Sequence, residues 1–137
     1  LPMIAPVDVQ LDQDDRTMVQ LDVMIVCDRS IITLKGIFGA PDFIVEVLSP
    51  STRKKDMSIK MMKYMEAGVR EYWMIDVAQK KVIVYDLEHA AIPVIYSFSD
   101  PVPVGIWGGA CKINLTEVSE LLDELFPEFQ LPGKQEL

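Results

Sequence analysis

The stretch Ala40-Pro41-Asp42-Phe43-Ile44-Val45-Glu46-Val47-Leu48-Ser49-Pro50-Ser51-Thr52 sets two carboxylates, Asp42 and Glu46, into a segment that otherwise reads as a buried strand. Ile44, Val45, Val47 and Leu48 are strand formers, and Pro41 and Ser49-Pro50 punctuate the ends. Strand side chains alternate faces, so Asp42 and Glu46 share a face with Ile44 between them. An ionised Glu in mid-strand is costly unless a metal ion or a lysine pairs with it. Both are ingredients of phosphodiester chemistry.

A third acid, Asp22, is followed by the apolar run Val23-Met24-Ile25-Val26. If its strand neighbours the Glu46 strand, Asp22 and Glu46 approach each other. Two close carboxylates repel unless a cation sits between them. A hard divalent cation such as magnesium, with manganese as the alternative, prefers carboxylate and water oxygens. Such an ion generates hydroxide from water and shields phosphoryl charge. The lysine would come from the next element, where the wheel sets Lys60 about 40° from Tyr64, beside the apolar face. Its stem can be buried while its ammonium reaches the carboxylates, to orient water and stabilise the transition state.

These residues need elements to hold them. Val7–Leu11 alternates as a strand, residues 12–17 form a turn, and Val19–Cys27 reads as a second strand and the hairpin partner of the first. Residues 28–40 read as loop. After the Asp42–Leu48 strand, Ser51 or Thr52 caps a helix over Arg53–Ala67, with Met57, Met61, Tyr64 and Met65 on one face and Gly68 ending it. Strands follow over 71–76, 81–87 and 94–98, with the turn between the first two at Gln79-Lys80. A broken segment over 102–113 carries a short strand. An amphipathic helix starts at Thr116, with Val118, Leu121, Leu122 and Leu125 apolar, and Pro127 ends it. Hairpins with one crossover helix imply an α/β (α+β) fold, a mixed central sheet flanked by helices.

With 137 residues and 50% hydrophobic content, the chain has the core of one domain, residues 1–137. Its apolar runs are strand-length, too short to span a membrane, and Leu1-Pro2-Met3-Ile4-Ala5-Pro6 has no signal-peptide layout. Cys27 and Cys111 make no disulfide framework and read as buried free thiols, which points to a cytoplasmic protein. With one histidine, His89, in a polar turn, and no CxxC pair, zinc ligation and His-assisted nucleophiles are nearly excluded. The net charge of −8 argues against a broad electrostatic nucleic-acid binder. It hides one basic segment, Arg53, Lys54, Lys55, Lys60 and Lys63, directly after the Glu46 strand.

Each feature has a plainer explanation. Asp42 could cap a strand or turn; Asp22 could pair with Arg53 or a backbone donor; Glu46 and Lys60 could form a structural salt bridge. Asp56 could pair with Lys60 at i,i+4. Arg53-Lys54-Lys55 could be a solvated helix start, and the methionine stripe is core. Tyr72-Trp73 and Tyr96–Phe98 fill the core or serve a homodimer.

Asp22, the Glu46–Thr52 run, Asp56, Lys60, Tyr64, Ala67-Gly68-Val69, Glu71-Tyr72-Trp73 and Asp76 resemble the Uma family, bacterial restriction-endonuclease-like domains of the PD-(D/E)XK nuclease superfamily. The resemblance runs from about Val7 to Tyr85, and more loosely to the last helix. It implies a restriction-endonuclease-like fold, a magnesium-dependent phosphodiesterase site and DNA as partner. Asp22 matches the motif Asp and Glu46 its Glu, both as metal ligands. Leu48 stands at the usual lysine position, and Lys60 matches a lysine moved to the following helix. Asp42 falls on a family acidic position, as support, and Tyr64 would orient Lys60. DNA contact would run along Arg53, Lys54, Lys55 and Lys63. Leu21 stands where the proline of the Pro-Asp pair is expected. The family's N-terminal helix and first hairpin should precede Val7, so part of the fold is expected to lie upstream. The expectation is a magnesium-dependent endonuclease. The alternative is an inactive nuclease fold kept as an interaction module; a phosphatase is weaker, since Gly36-Ile37-Phe38-Gly39 is a poor phosphate loop.

Overall fold

The computed structural model describes residues 2–4, 8–11, 18–20, 22–48 and 54–127. In chain order its strands are β1 (Pro2–Ile4), β2 (Asp8–Gln10), β3 (Met18–Gln20), β4 (Val23–Ile25), β5 (Ile32–Thr33), β6 (Gly36–Phe38) and β7 (Phe43–Leu48). Helix α1 (Lys54–Ala67) follows, then β8 (Glu71–Asp76), β9 (Lys81–Asp86), β10 (Val94–Ser97), β11 (Val102–Pro103), β12 (Lys112–Ile113) and helix α2 (Thr116–Leu125). Among the described residues the main sheet has six strands in the order β1-β4-β7-β8-β9-β10. Only β7 and β8 in it run parallel, joined through α1, so it is a mixed sheet with one crossover. A four-stranded sheet, β3-β2-β6-β5, and the β11–β12 pair complete the fold.

The period-two alternation of β7 divides its side chains between two cores. Ile44 faces a cluster with Met24, Val26, Tyr64, Val69, Tyr72 and Met74, to which the second sheet adds Val9 and Ile37. Phe43 and Val45 face the opposite cluster with Trp73, Val82, Phe98, Val102 and Val104, closed by Leu115 and Leu122. The main sheet is therefore the middle of three layers, between α1 with the second sheet and the C-terminal segment with α2. A strand buried on both faces reads as a continuous apolar run, which is why Phe43–Leu48 is so apolar.

The expected single strand over Val19–Cys27 is two strands in two sheets. β3 pairs antiparallel with β2, as the hairpin expectation required, while β4 pairs with β1 and β7. Asp22 occupies a bend where the chain leaves one sheet for the other. Residues 28–40 are not mostly loop: a 3₁₀ turn at Arg29–Ile31 leads into the β5–β6 hairpin. Gly36 there has φ +141°, and an added Cβ would lie 2.5 Å from the Asp8 carbonyl oxygen, so the parallel approach of β6 to β2 requires glycine. Cys27 and Cys111 are both exposed, not buried. Cys27 follows Val26, the last buried residue after β4, and Cys111 lies between the exposed Ala110 and β12, so apolar neighbours in sequence do not mean burial at either. Tyr72, Trp73 and Phe98 are core, while Met65, expected on the inner stripe of α1, is exposed.

Candidate active site

Glu46 is 7% exposed, next to last but one in β7, on the face that meets α1. Burial obliges its carboxylate to find partners, and it has three. The Tyr64 hydroxyl, from α1, donates to Oε1 at 2.7 Å, and the Lys60 ammonium, one helical turn earlier, donates to the same oxygen at 3.3 Å. The Tyr72 hydroxyl, from the neighbouring parallel strand, donates to Oε2 at 2.7 Å. Tyr64 and Lys60 share a face because they are four residues apart on a helix. Tyr72 arrives because the β7–β8 register pairs Ile44 with Tyr72 and Glu46 with Met74, leaving the phenol two positions below the acid on one face.

Asp22 lies beside this group. The β4–β7 register pairs Val23 with Val45, and the Asp22 carboxylate accepts the Val47 N–H at 2.7 Å. Its parity matches Met24 and Val26, which face the Tyr64 cluster. Burial, then the charge of Glu46, holds the Tyr64 and Tyr72 hydroxyls far above the ordinary tyrosine range, and Asp22 adds to both shifts. Both phenols are therefore protonated donors at any physiological pH. The rings fix one another: Tyr64 and Tyr72 meet edge to face at 5.1 Å, and Tyr85 stacks on Tyr72 at 5.9 Å.

Asp42 is not brought to this group. Four residues of strand separate it from Glu46, about 13 Å at 3.3 Å per residue. It sits before β7, where its carboxylate accepts the Cys27 N–H at 2.8 Å and faces the Arg70 guanidinium at 3.6 Å. Its carbonyl accepts the N–H groups of Arg70 and Glu71, both at 3.1 Å. Arg70 also pairs with Glu88 at 3.1 Å, so the far end of β7 is a corner of ion pairs. Tyr64 bonds Glu46 rather than Lys60. Lys63 is exposed on α1. Arg53 and the Ser51/Thr52 cap lie outside the described residues, as do the side chains of Lys54, Lys55 and Asp56. His89 pairs with Asp86 in the exposed β9–β10 turn, far in role from any nucleophile.

Tyr72 is the member that sequence reasoning reads as core or as a dimer surface, not as part of the site. Its signal lies in the alternation of β8, which puts Tyr72 and Met74 on the face of α1, and becomes readable only once β8 is placed parallel to β7. Glu71 is a buried acid that the sequence reading assigned no role, 4% exposed on the opposite face. It accepts the Trp73 indole N–H at 2.7 Å. The donor set at Glu46 and Asp22 is all oxygen, and each carboxylate offers about four lone-pair sites, so both keep capacity after these bonds. That suits a hard ion such as magnesium, which binds through one or two carboxylates and keeps waters or phosphate oxygens elsewhere. Among the described residues no group of three acidic, histidine or cysteine side chains converges on a point.

The family model described as Uma2, putative restriction endonuclease, matches residues 2–105. Among curated proteins none matches the chain with significance. Among solved structures, a putative nuclease belonging to DUF820 from Anabaena variabilis ATCC 29413 superposes with a TM-score of 0.67 at 17% identity. That match covers 88% of this chain and 68% of the other. The likeness is one of fold.

Proposed function

Since the chain belongs to the Uma2 family of putative restriction endonucleases, we propose that it is a magnesium-dependent endonuclease hydrolysing DNA phosphodiester bonds. The observation that carries this reading is Glu46, a buried carboxylate held by two phenols and a lysine with Asp22 across the register. A structural ion pair would need one partner; this acid has three donors, one of them the half-exposed Lys60, which links it to solvent. Asp22 and Glu46 would hold the ion. When bound, it would lower the pKa of a coordinated water and offset charge on the phosphoryl oxygens.

The chain's own residues supply the rest. Lys60, whose side chain is 46% exposed, keeps its ammonium between the buried carboxylate and solvent, where it donates to an attacking water or a phosphoryl oxygen. Tyr64 and Tyr72 stay protonated and hold the carboxylate. Lys63, on the exposed side of α1, adds positive charge for the DNA backbone, with Lys54, Lys55 and Arg53 preceding it in sequence. Manganese can replace magnesium in a site of this type.

Calorimetry with magnesium on the parent and on Glu46→Ala tests the reading, followed by cleavage of plasmid and linear DNA by the parent and Lys60→Ala. Binding lost in Glu46→Ala, with cleavage abolished by chelator and reduced at least ~100-fold in Lys60→Ala, is the expected result. The net charge of −8 favours a second reading, an inactive nuclease fold serving as an interaction module. Absence of metal binding by the parent would select it.

A further inference from the structure

The two oxygens of Glu46 are not equivalent. Oε1 accepts from both Tyr64 at 2.7 Å and Lys60 at 3.3 Å, whereas Oε2 accepts from Tyr72 alone at 2.7 Å. A carboxylate oxygen has two lone-pair sites. Oε1 has used both, and Oε2 has one left. We propose that Glu46 offers a metal ion Oε2 only, and that Tyr72 is the positioning residue that aims it. The proposal rests on the metal-dependent reading above and assigns work within that site.

The phenols then divide their labour. Tyr64 and Lys60 anchor Oε1, which fixes the plane of the carboxylate and ties it to α1. Tyr72 fills the Oε2 lone pair on its own side, so the remaining one turns away from β8. The other neighbour of β7 is β4, whose register with β7 brings Asp22 beside Glu46. The Tyr72 ring has little freedom: it is 1% exposed, meets Tyr64 edge to face and stacks on Tyr85. A hydroxyl on so fixed a ring is a fixed donor. Removing it frees Oε2 to accept from elsewhere or to rotate with Oε1, while the phenyl packing stays. Removing the Tyr64 hydroxyl instead leaves Lys60 on Oε1 and Oε2 still aimed.

The test is manganese binding by calorimetry to the parent, Tyr72→Phe, Tyr64→Phe and Glu46→Gln, with thermal unfolding of each. Tyr72→Phe is expected to bind about ten-fold more weakly and Tyr64→Phe within about threefold of the parent, although both lose comparable stability; pre-organised ligands owe their affinity to such outer partners. Metal-induced infrared difference spectra supply a readout that destabilisation alone does not move. The metal-sensitive glutamate carboxylate bands, separated from those of Asp22 by 13C labelling of glutamate, should show the wide splitting of one-oxygen ligation in the parent and a narrower one in Tyr72→Phe. Equal affinity losses in the two phenylalanine variants, or two-oxygen ligation in the parent, would overturn the inference and leave the metal site standing. A parent that binds no manganese would overturn both readings.

Discussion

At Glu46, burial and chemistry make the same demand, a set of donors, and the donors that satisfy folding also leave the carboxylate poised. Removing the charge from a buried, hydrogen-bonded carboxylate leaves its donors short of an acceptor. Glu46→Gln is therefore expected to lower the unfolding free energy by about 1–3 kcal/mol, since one phenol must accept from the amide nitrogen instead of donating. Metal affinity should vanish. Urea unfolding and calorimetry on one preparation decide it: a fully unfolded variant would mean that the charge itself holds the fold. Asp42 is predicted to behave in the opposite way toward the metal. Its partners are the Cys27 amide and Arg70, away from Glu46. Asp42→Ala should cost about 1–3 kcal/mol of stability, with metal affinity within about twofold of the parent. A large loss of affinity without a loss of stability would return Asp42 to the site.

Among the elements, the joint between the main sheet and the C-terminal layer is the most demanding. Glu71, buried in β8, receives the Trp73 indole N–H and the backbone N–H groups of Gly105 and Ile106. Burial raises its pKa above the ordinary glutamate value, against the pull of those bonds, and Asp86 raises it further. The folded state thus holds this proton more tightly than the unfolded chain. Its contribution is complete below the unfolded value and is lost as pH climbs through the folded one. Glu71→Gln should consequently show a smaller decline of unfolding free energy from pH 4.5 toward neutrality than the parent; a steeper decline would reverse the sign. At Gly105 an added Cβ would collide with Glu71 Oε1, so Gly105→Ala is expected to cost about 1–3 kcal/mol by chemical denaturation. Glycine is needed there for close approach, not for an unusual backbone angle.

On the scale of the whole molecule, a charge of −8 bears on the proposal of a polyanionic substrate. Any DNA contact has to be local, through few phosphates, so its salt dependence should be shallow. With a slope of about −0.9 per phosphate neutralised, Lys63→Glu should weaken binding at all sequences alike and flatten the slope by about one. Fluorescence anisotropy at several salt concentrations measures both, and an unchanged slope would place the DNA elsewhere. Among the described residues no helix is long and apolar enough to cross a membrane. Apolar side chains do remain at the surface, among them Ile59 and Met62 on α1 and Leu121 and Leu125 on α2.

The amino-acid sequence by itself determined the elements with strong local signals. The doubly buried β7 declares itself through consecutive branched side chains, α1 through its period, and Gly68, with φ +97°, through the left-handed turn that ends the helix. The pairing of Glu46 was legible for a related reason: a charge inside an apolar strand pattern has to find a partner, and the helical wheel set Lys60 within reach. What only the tertiary structure decided depends on contacts between distant segments. The break at Asp22 is invisible in sequence because both halves of Met18–Ile25 favour a strand; it exists because each half has a different partner sheet. Asp42 and Glu46 share a parity, and their spacing already sets them about 13 Å apart along the strand; what the tertiary structure added is Arg70 waiting at the far end. Tyr72 became a partner of Glu46 through the register of two parallel strands, and register is set by packing across the sheet rather than by any residue within one strand.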